Sequence, residues 1–158
     1  MILYTRIPSP LGIITLASKD SSLIGLWLEG QKYHPDFSQW EYAPQYPVFI
    51  ETAHWLGQYF AGLRPDPRAL PLAPEGTEFQ KLVWLHLLEI PYGEHITYGD
   101  LAKKLNCGSA RAVGAAVSRN PISIVIPCHR VLGQGGQLTG YAGGLVRKRW
   151  ILEFESIQ

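Results

Sequence analysis

Four prolines between Arg64 and Glu75, namely Pro65, Pro67, Pro71 and Pro74, exclude a regular helix from that stretch. Each one removes a backbone N–H, and its ring clashes with the preceding helical turn. The segment reads as a semi-rigid linker, and it divides the chain into an N-terminal part, residues 1–75, and a C-terminal part, residues 76–158. With 158 residues, 46% of them hydrophobic, the chain has apolar material for one ordinary domain or two small ones sharing an interface.

The two parts carry different patterns. Ile2–Ile7, Gly12–Ala17 and Leu23–Leu28 are short, apolar and β-rich, and turn-forming residues separate them. A three-stranded antiparallel meander is the simplest arrangement. Residues 31–46 show no period. Phe49, Ala53, Leu56, Tyr59, Phe60 and Leu63 then recur at helical spacing within 48–63. Beyond the prolines the chain is mainly helical. Phe79, Leu82, Val83, Leu85 and Leu88 form an apolar stripe over 78–89, and a short helix is expected from about Tyr98 to Leu105. Asn106-Cys107-Gly108 makes a turn, and Ser109 is placed to cap a helix running to Arg119. A glycine-rich loop follows residue 132, and a last helix over about 145–155 is expected to bury Trp150, Ile151 and Phe154. The fold class is α+β: a small antiparallel sheet with a helix, then a helical part with a winged-helix-like helix-turn-helix.

Charge is distributed unevenly. Residues 1–76 hold five basic and seven acidic side chains, a balance of −2, whereas residues 77–158 hold nine and six, or +3. Residues 101–152 contain Lys103, Lys104, Arg111, Arg119, Arg130, Arg147, Lys148 and Arg149 and no acid. A one-signed stretch suits a phosphate-facing surface or, equally, a solvated face. No apolar run approaches the ~18 residues of a membrane span. MILYTRIPSP lacks the regions of a secretion signal, and two cysteines make no disulfide framework, so a reducing cytoplasm is expected.

Two constellations could carry chemistry. The paired helices match a helix-turn-helix in length, a pattern that is weak by itself. Its second helix is unusual: Val113 and Val117 can pack inward, while Ala110, Ala112, Gly114, Ala115 and Ala116 leave little bulk elsewhere. Such a helix can press against a partner surface or against another helix. Arg111, one long cation on a smooth face, favours the former. Ser109 and the helix N-terminus could hold a phosphate. The second constellation is Ile126-Pro127-Cys128-His129-Arg130, a thiol at the end of an apolar run beside imidazole and guanidinium. A thiolate is the nucleophile, and neighbouring donors and cations control its formation. Adjacent side chains diverge, so a water could relay a proton from Cys128 to His129, with Glu155 orienting the other ring nitrogen. An isolated cysteine is more often a small buried hydrophobe; Cys107, with no His or acid beside it, reads that way. His34, His54, His86 and His95 have no metal-like spacing. Within the glycine loop, Tyr141 reads as a wall for a bound ring.

Ile126-Pro127-Cys128-His129-Arg130-Val131 closely resembles the active-site signature of the O6-alkylguanine-DNA alkyltransferases, or methylated-DNA–protein-cysteine methyltransferases. The resemblance extends through Pro91-Tyr92-Gly93-Glu94, Thr97-Tyr98, Ala110–Gly114, Arg119-Asn120-Pro121, Gly140–Leu145, Lys148 and Trp150, covering essentially residues 77–158. Residues 1–76 resemble the family's N-terminal domain in layout only. The resemblance implies a suicide reaction on double-stranded DNA, in which an alkyl group leaves guanine O6 and stays on Cys128. His129, through water and with Glu155, would be the base relay, and Asn120 would brace the cysteine region. Tyr98 would crowd the flipped nucleotide's phosphate and donate toward the base. The Val131 and Cys128 carbonyls would accept from the guanine amino group, with Tyr141 against the ring and the Ala142 N–H near O6. Arg111 would fill the vacated stack, on a minor-groove helix whose Ser109, Ala110, Ala112 and Gly114 face DNA. Ala142 stands where serine is frequent in the family, which leaves a backbone donor and no hydroxyl. No cofactor, metal, membrane or obligate protein partner is implied; the zinc of some members needs N-terminal cysteines that this chain lacks. Three alternatives remain, a non-catalytic binder of alkylated DNA, a helix-turn-helix regulator, and a thiol hydrolase or redox enzyme, to which a basic, acid-free surface gives no support. Cys128 counts against the first. The scarcity of base-reading side chains on 110–116 counts against the second.

Overall fold

The computed structural model describes residues 1–157. Strands β1 (Leu3–Ile7), β2 (Ile14–Lys19) and β3 (Ser22–Leu28) form the expected meander. A fourth strand, β4 (Glu41–Tyr42), pairs parallel with β1, so the sheet is mixed and its order is β3-β2-β1-β4. The unpatterned 31–46 segment packs on one sheet face, where Phe37 and Trp40 join Tyr4 and Trp27 in a tilted aromatic cluster. Helix α1 (Pro47–Phe60) covers the other face. It buries Val48, Phe49, Thr52, Trp55, Leu56 and Tyr59, and Leu63 lies past its end, exposed.

The proline-rich segment is not a loose tether. Leu23 of β3 donates to the Pro71 carbonyl and accepts from the Ala73 N–H, each at 2.8 Å. Further along the same edge, Leu26 donates to Pro121 (2.8 Å) and accepts from Ser123 (3.1 Å). An open strand edge is a row of unpaired polar groups. Here that edge is used to hold the 120–126 turn in place.

Helix α2 (Glu78–Leu87) starts with a complete capping box of Thr77 and Gln80. Its buried face differs from the expected stripe. Val83, Trp84 and Leu87 are inside, while Phe79, Leu82 and Leu85 are exposed. The helix is apolar almost all round, so periodicity could not select a face. Packing on the next helices did, through the Trp84 indole N–H, which donates to the Ala116 carbonyl at 2.8 Å. After β5 (Ile96–Thr97), helices α3 (Tyr98–Lys104) and α4 (Ala110–Ser118) form the helix-turn-helix. Ser109 caps α4 by accepting from Ala112 N–H (3.1 Å), and Val113, Ala116 and Val117 are buried. Strand β6 (Val131–Leu132) pairs parallel with β5. Helix α5 (Leu145–Ile157) buries Ile151 as expected, but Trp150 is 37% exposed. Lys148 and Glu155 are inside instead. One cluster of buried side chains, from Leu11 to Ile151, runs through both parts. No helix among the described residues is long and apolar enough to cross a membrane.

Candidate active site and DNA-facing helix

The cysteine sits at the end of two very tight turns. Val125 N–H donates to the Ser123 carbonyl (2.8 Å) across Ile124, whose φ is +71°. A β-branched residue in the left-handed region is strained, and such strain concentrates at functional sites. Cys128 N–H then donates to the Ile126 carbonyl (2.8 Å) across Pro127, and Cys128–Arg130 form a single 3₁₀ turn. Asn120 holds this path together: its amide donates to the Ile126 carbonyl (2.8 Å), and its oxygen accepts from Ile122 N–H (3.0 Å). Cys128 is 5% exposed. Burial pushes its thiol up from the ordinary value, against the pull of an Asn120 hydrogen bond, the Lys148 charge and backbone N–H groups.

His129 is fully buried, and its Nε2 lies 2.7 Å from Glu155 Oε2. The carboxylate also receives Arg130 through Nε (2.8 Å, Oε1) and Nη2 (2.9 Å, Oε2). Burial would raise the Glu155 carboxyl, but His129 and Arg130 outweigh it and hold the group well below the carboxylate range. An ionised partner makes Nε2 the donor, so Nδ1 keeps its lone pair. That Nδ1 is buried with no hydrogen-bond partner. Burial also lowers His129 from its ordinary value, which keeps the ring neutral and able to accept a proton.

Of the expected substrate-contacting residues, Tyr98, Val131 and Tyr141 lie near Cys128. Tyr98, the first residue of α3, donates its hydroxyl to the Thr139 and Gly140 carbonyls (3.0 and 3.2 Å) and is pushed up to about 12 by burial and then the Cys128 charge. Gly140 has φ +62°, and an added Cβ would lie 3.2 Å from the Tyr98 hydroxyl. Only glycine suits both conditions. Tyr141 is buried, with its hydroxyl unpartnered. The Val131 carbonyl already accepts from Lys148 Nζ (2.6 Å) and that of Cys128 from Val131 N–H, so each offers a ligand its second lone pair. The Ala142 carbonyl accepts from Lys32 N–H (2.8 Å), a tie from the N-terminal part to the glycine loop.

Helix α4 meets the site through Tyr98, whose ring lies against Gly114. Ala110, Arg111 and Ala112 are exposed, as is Ser109, whose hydroxyl is committed to the cap. The acid-free stretch is not one surface. Arg130 and Lys148 are buried, and Arg147 holds the carbonyls of Leu11, Gly143 and Glu29. Lys103, Lys104, Arg111, Arg119 and Arg149 remain exposed. Among the described residues no group of three or more His, Cys, Asp and Glu could hold a metal ion.

Known proteins resemble this chain in sequence and fold. The family model for the 6-O-methylguanine DNA methyltransferase DNA binding domain matches residues 78–157, and that for the ribonuclease-like domain matches residues 2–74. The chain belongs to the methylated-DNA–protein-cysteine methyltransferase family. A family member from Mycolicibacterium paratuberculosis is 45% identical over 98% of this chain and 93% of its own. The O6-methylguanine methyltransferase of Mycobacterium tuberculosis is 44% identical, with a TM-score of 0.89 over 99% of this chain and 94% of the other. The OGT of that organism, solved in complex with DNA, is 43% identical, with a TM-score of 0.88 over 98% and 93% of the two chains.

For a methyltransferase of this family, Lys148 is the residue that sequence reasoning underrated. Its ammonium is buried, donates to the Val131 and Thr139 carbonyls (2.6 and 2.7 Å), and is pulled down to about 8 by burial, against the Cys128 charge. Its spacing was informative: Lys148, Ile151 and Glu155 lie at i, i+3 and i+7, one face of α5. Removing the cation takes away one of the groups that oppose burial at the thiol and raises it further. Lys148→Met is expected to slow alkylation of Cys128 by roughly tenfold at pH 7 and to move the thiol's titration to higher pH. Rate against pH with a free-base substrate measures both.

Proposed function

We propose that the chain repairs DNA by moving an alkyl group from guanine O6 to Cys128 Sγ, once per molecule. The observation that carries this reading is the buried His129, tied to Glu155 through Nε2 with Nδ1 unpartnered, next in sequence to a buried cysteine. Nδ1, through a water, takes the thiol proton. The thiolate then attacks the alkyl carbon in line, the S–C bond forms as the C–O6 bond breaks, and guanine leaves with a proton or hydrogen bond supplied toward O6. The Tyr98 hydroxyl, otherwise on the Thr139 and Gly140 carbonyls, turns to the base for that donation. Asn120 keeps the cysteine turn rigid. The second lone pairs of the Val131 and Cys128 carbonyls accept from the guanine amino group, Tyr141 lies against the ring and Ala142 N–H meets O6.

A carbon inside a duplex is hard to reach, so the nucleotide is flipped out. The small residues Ala110, Ala112 and Gly114 let α4 enter the minor groove, with Ser109 at its N-terminus near phosphate and Arg111 in the vacated stack. Relatives named as methylated-DNA–protein-cysteine methyltransferases and a relative solved with DNA support the reading. Two free cysteines fit a reducing cytoplasm.

Intact mass after incubation with a duplex carrying labelled O6-methylguanine tests the function: one methyl per chain is expected, on the Cys128 peptide. Repeated turnover, or label on Cys107, would overturn it. Arg111→Ala is expected to slow duplex repair roughly tenfold or more, because the vacated stack costs a few kcal/mol. It should leave the reaction with free O6-benzylguanine nearly unchanged. Equal losses on both substrates would make Arg111 a packing residue.

A further inference from the structure

The carboxylate that orients His129 is held from the other half of the chain. Tyr59, on α1, is 1% exposed and stacks on Trp55 at 5.7 Å between centroids. Its hydroxyl donates to Glu155 Oε2 at 2.5 Å, the same oxygen that receives His129 Nε2 and Arg130 Nη2. Oε1 takes Arg130 Nε and, more weakly, Gly93 N–H at 3.3 Å. Arg130, already bidentate, balances the charge of this carboxylate, and phenylalanine would fill the same space in the aromatic cluster with Tyr92 and Phe154. The phenol oxygen therefore has one distinct consequence, at Glu155 Oε2.

We propose that Tyr59 is a positioning residue of the base relay, so that the N-terminal part completes the His129–Glu155 dyad. This rests on the alkyl-transfer reading. A third donor on Oε2 fixes the carboxylate plane, and through it the imidazole edge. It also draws charge from the oxygen, which weakens the carboxylate's hold on a proton at His129. Burial, then the Glu155 charge, push the Tyr59 phenol far up, so it stays a donor at every working pH. The groups facing the dyad are Arg130 from its own segment, Lys148 from α5, Tyr92 ahead of β5, Tyr141 from the glycine loop, and Tyr59. Of these, Tyr59 alone comes from the N-terminal part.

The decisive experiment is the single-turnover rate with free O6-benzylguanine, which removes DNA binding from the measurement, as a function of pH. Tyr59→Phe should react about tenfold more slowly, the usual scale for losing an outer hydrogen-bond partner. Its acid limb should move to higher pH, because a less solvated carboxylate makes His129 more basic. Placing 3-fluorotyrosine at 59, a stronger donor of nearly the same shape, should move the limb to lower pH. In a Glu155→Gln background, Tyr59→Phe should change the rate by less than about twofold, since coupled residues are non-additive. A wild-type rate and profile in Tyr59→Phe would overturn the proposal. So would limbs that shift in the same direction for both replacements, or equal losses with and without Glu155. Absence of alkyl on Cys128 in the unmodified protein would instead sink the alkyl-transfer reading itself.

Discussion

Cys128→Ser is expected to abolish alkyl transfer and to leave duplex binding nearly unchanged. A hydroxyl is a far weaker nucleophile than a thiolate toward a saturated carbon, and its much higher pKa leaves a serine there almost wholly un-ionised even with His129 as its base. The replacement is also nearly isosteric and removes no contact with the exposed cations. Lys103, Lys104, Arg111, Arg119 and Arg149 are the exposed basic side chains between residues 101 and 152. Binding of both proteins should therefore weaken with salt, to an extent set by how many of these five meet phosphate. The measurement is a salt titration of both proteins on two unrelated duplexes, with methyl transfer followed by intact mass. A flat salt response would detach the cations from DNA. A strong preference for one unmodified sequence would favour a regulator. Loss of all binding in Cys128→Ser would make the cysteine structural.

The second large effect is on stability. Glu155→Ala should destabilise the protein by about 3–5 kcal/mol, because it strands the buried Arg130 guanidinium without its counter-charge. For a chain of this size that corresponds to roughly 10 °C or more in Tm. Arg130 keeps its bond to the Ile90 carbonyl (2.8 Å), but the Tyr59 hydroxyl and His129 Nε2 lose their common acceptor. The same carboxylate makes stability depend on pH with a definite sign. Its folded value lies well below the ordinary 4.5, so its contribution is complete above about 4.5 and is lost as pH falls toward the folded value. Wild-type protein should lose stability steeply below that point, and Glu155→Gln should show a flatter acid limb. Thermal melts from about pH 2 to 7 measure both, and parallel curves would show that Glu155 carries no linked proton.

Some of this was legible along the chain because it depends on local spacing. The three strands, the start of α4 at Ser109 and the inward Val113 and Val117 follow from alternation, capping and helical period, all set by near neighbours. The candidate pair Cys128 and His129 could be picked out for the same reason, the two residues being adjacent. Other features were settled only by packing. Residues 31–46 have no period because they are shaped by the sheet face they cover. The apolar circumference of α2 left its buried side open until Trp84 found the Ala116 carbonyl.

The acid-free stretch from 101 to 152 shows the limit most plainly. Sequence reveals the sign of a charge and not which way it points. Arg130 and Lys148 turn inward to a carboxylate and to carbonyls, while Lys103, Lys104, Arg111, Arg119 and Arg149 stay in solvent. Tyr59 and Glu155 are 96 residues apart. Nothing in either one's neighbourhood announces the other, because a hydrogen bond depends on separation in space. The chain by itself determined the strands, the helix pair and the family, and it singled out Cys128 as the candidate nucleophile. Only the tertiary structure decided which buried groups surround the thiol and which half of the molecule supplies them, since that follows from how α1 and α5 close over one core.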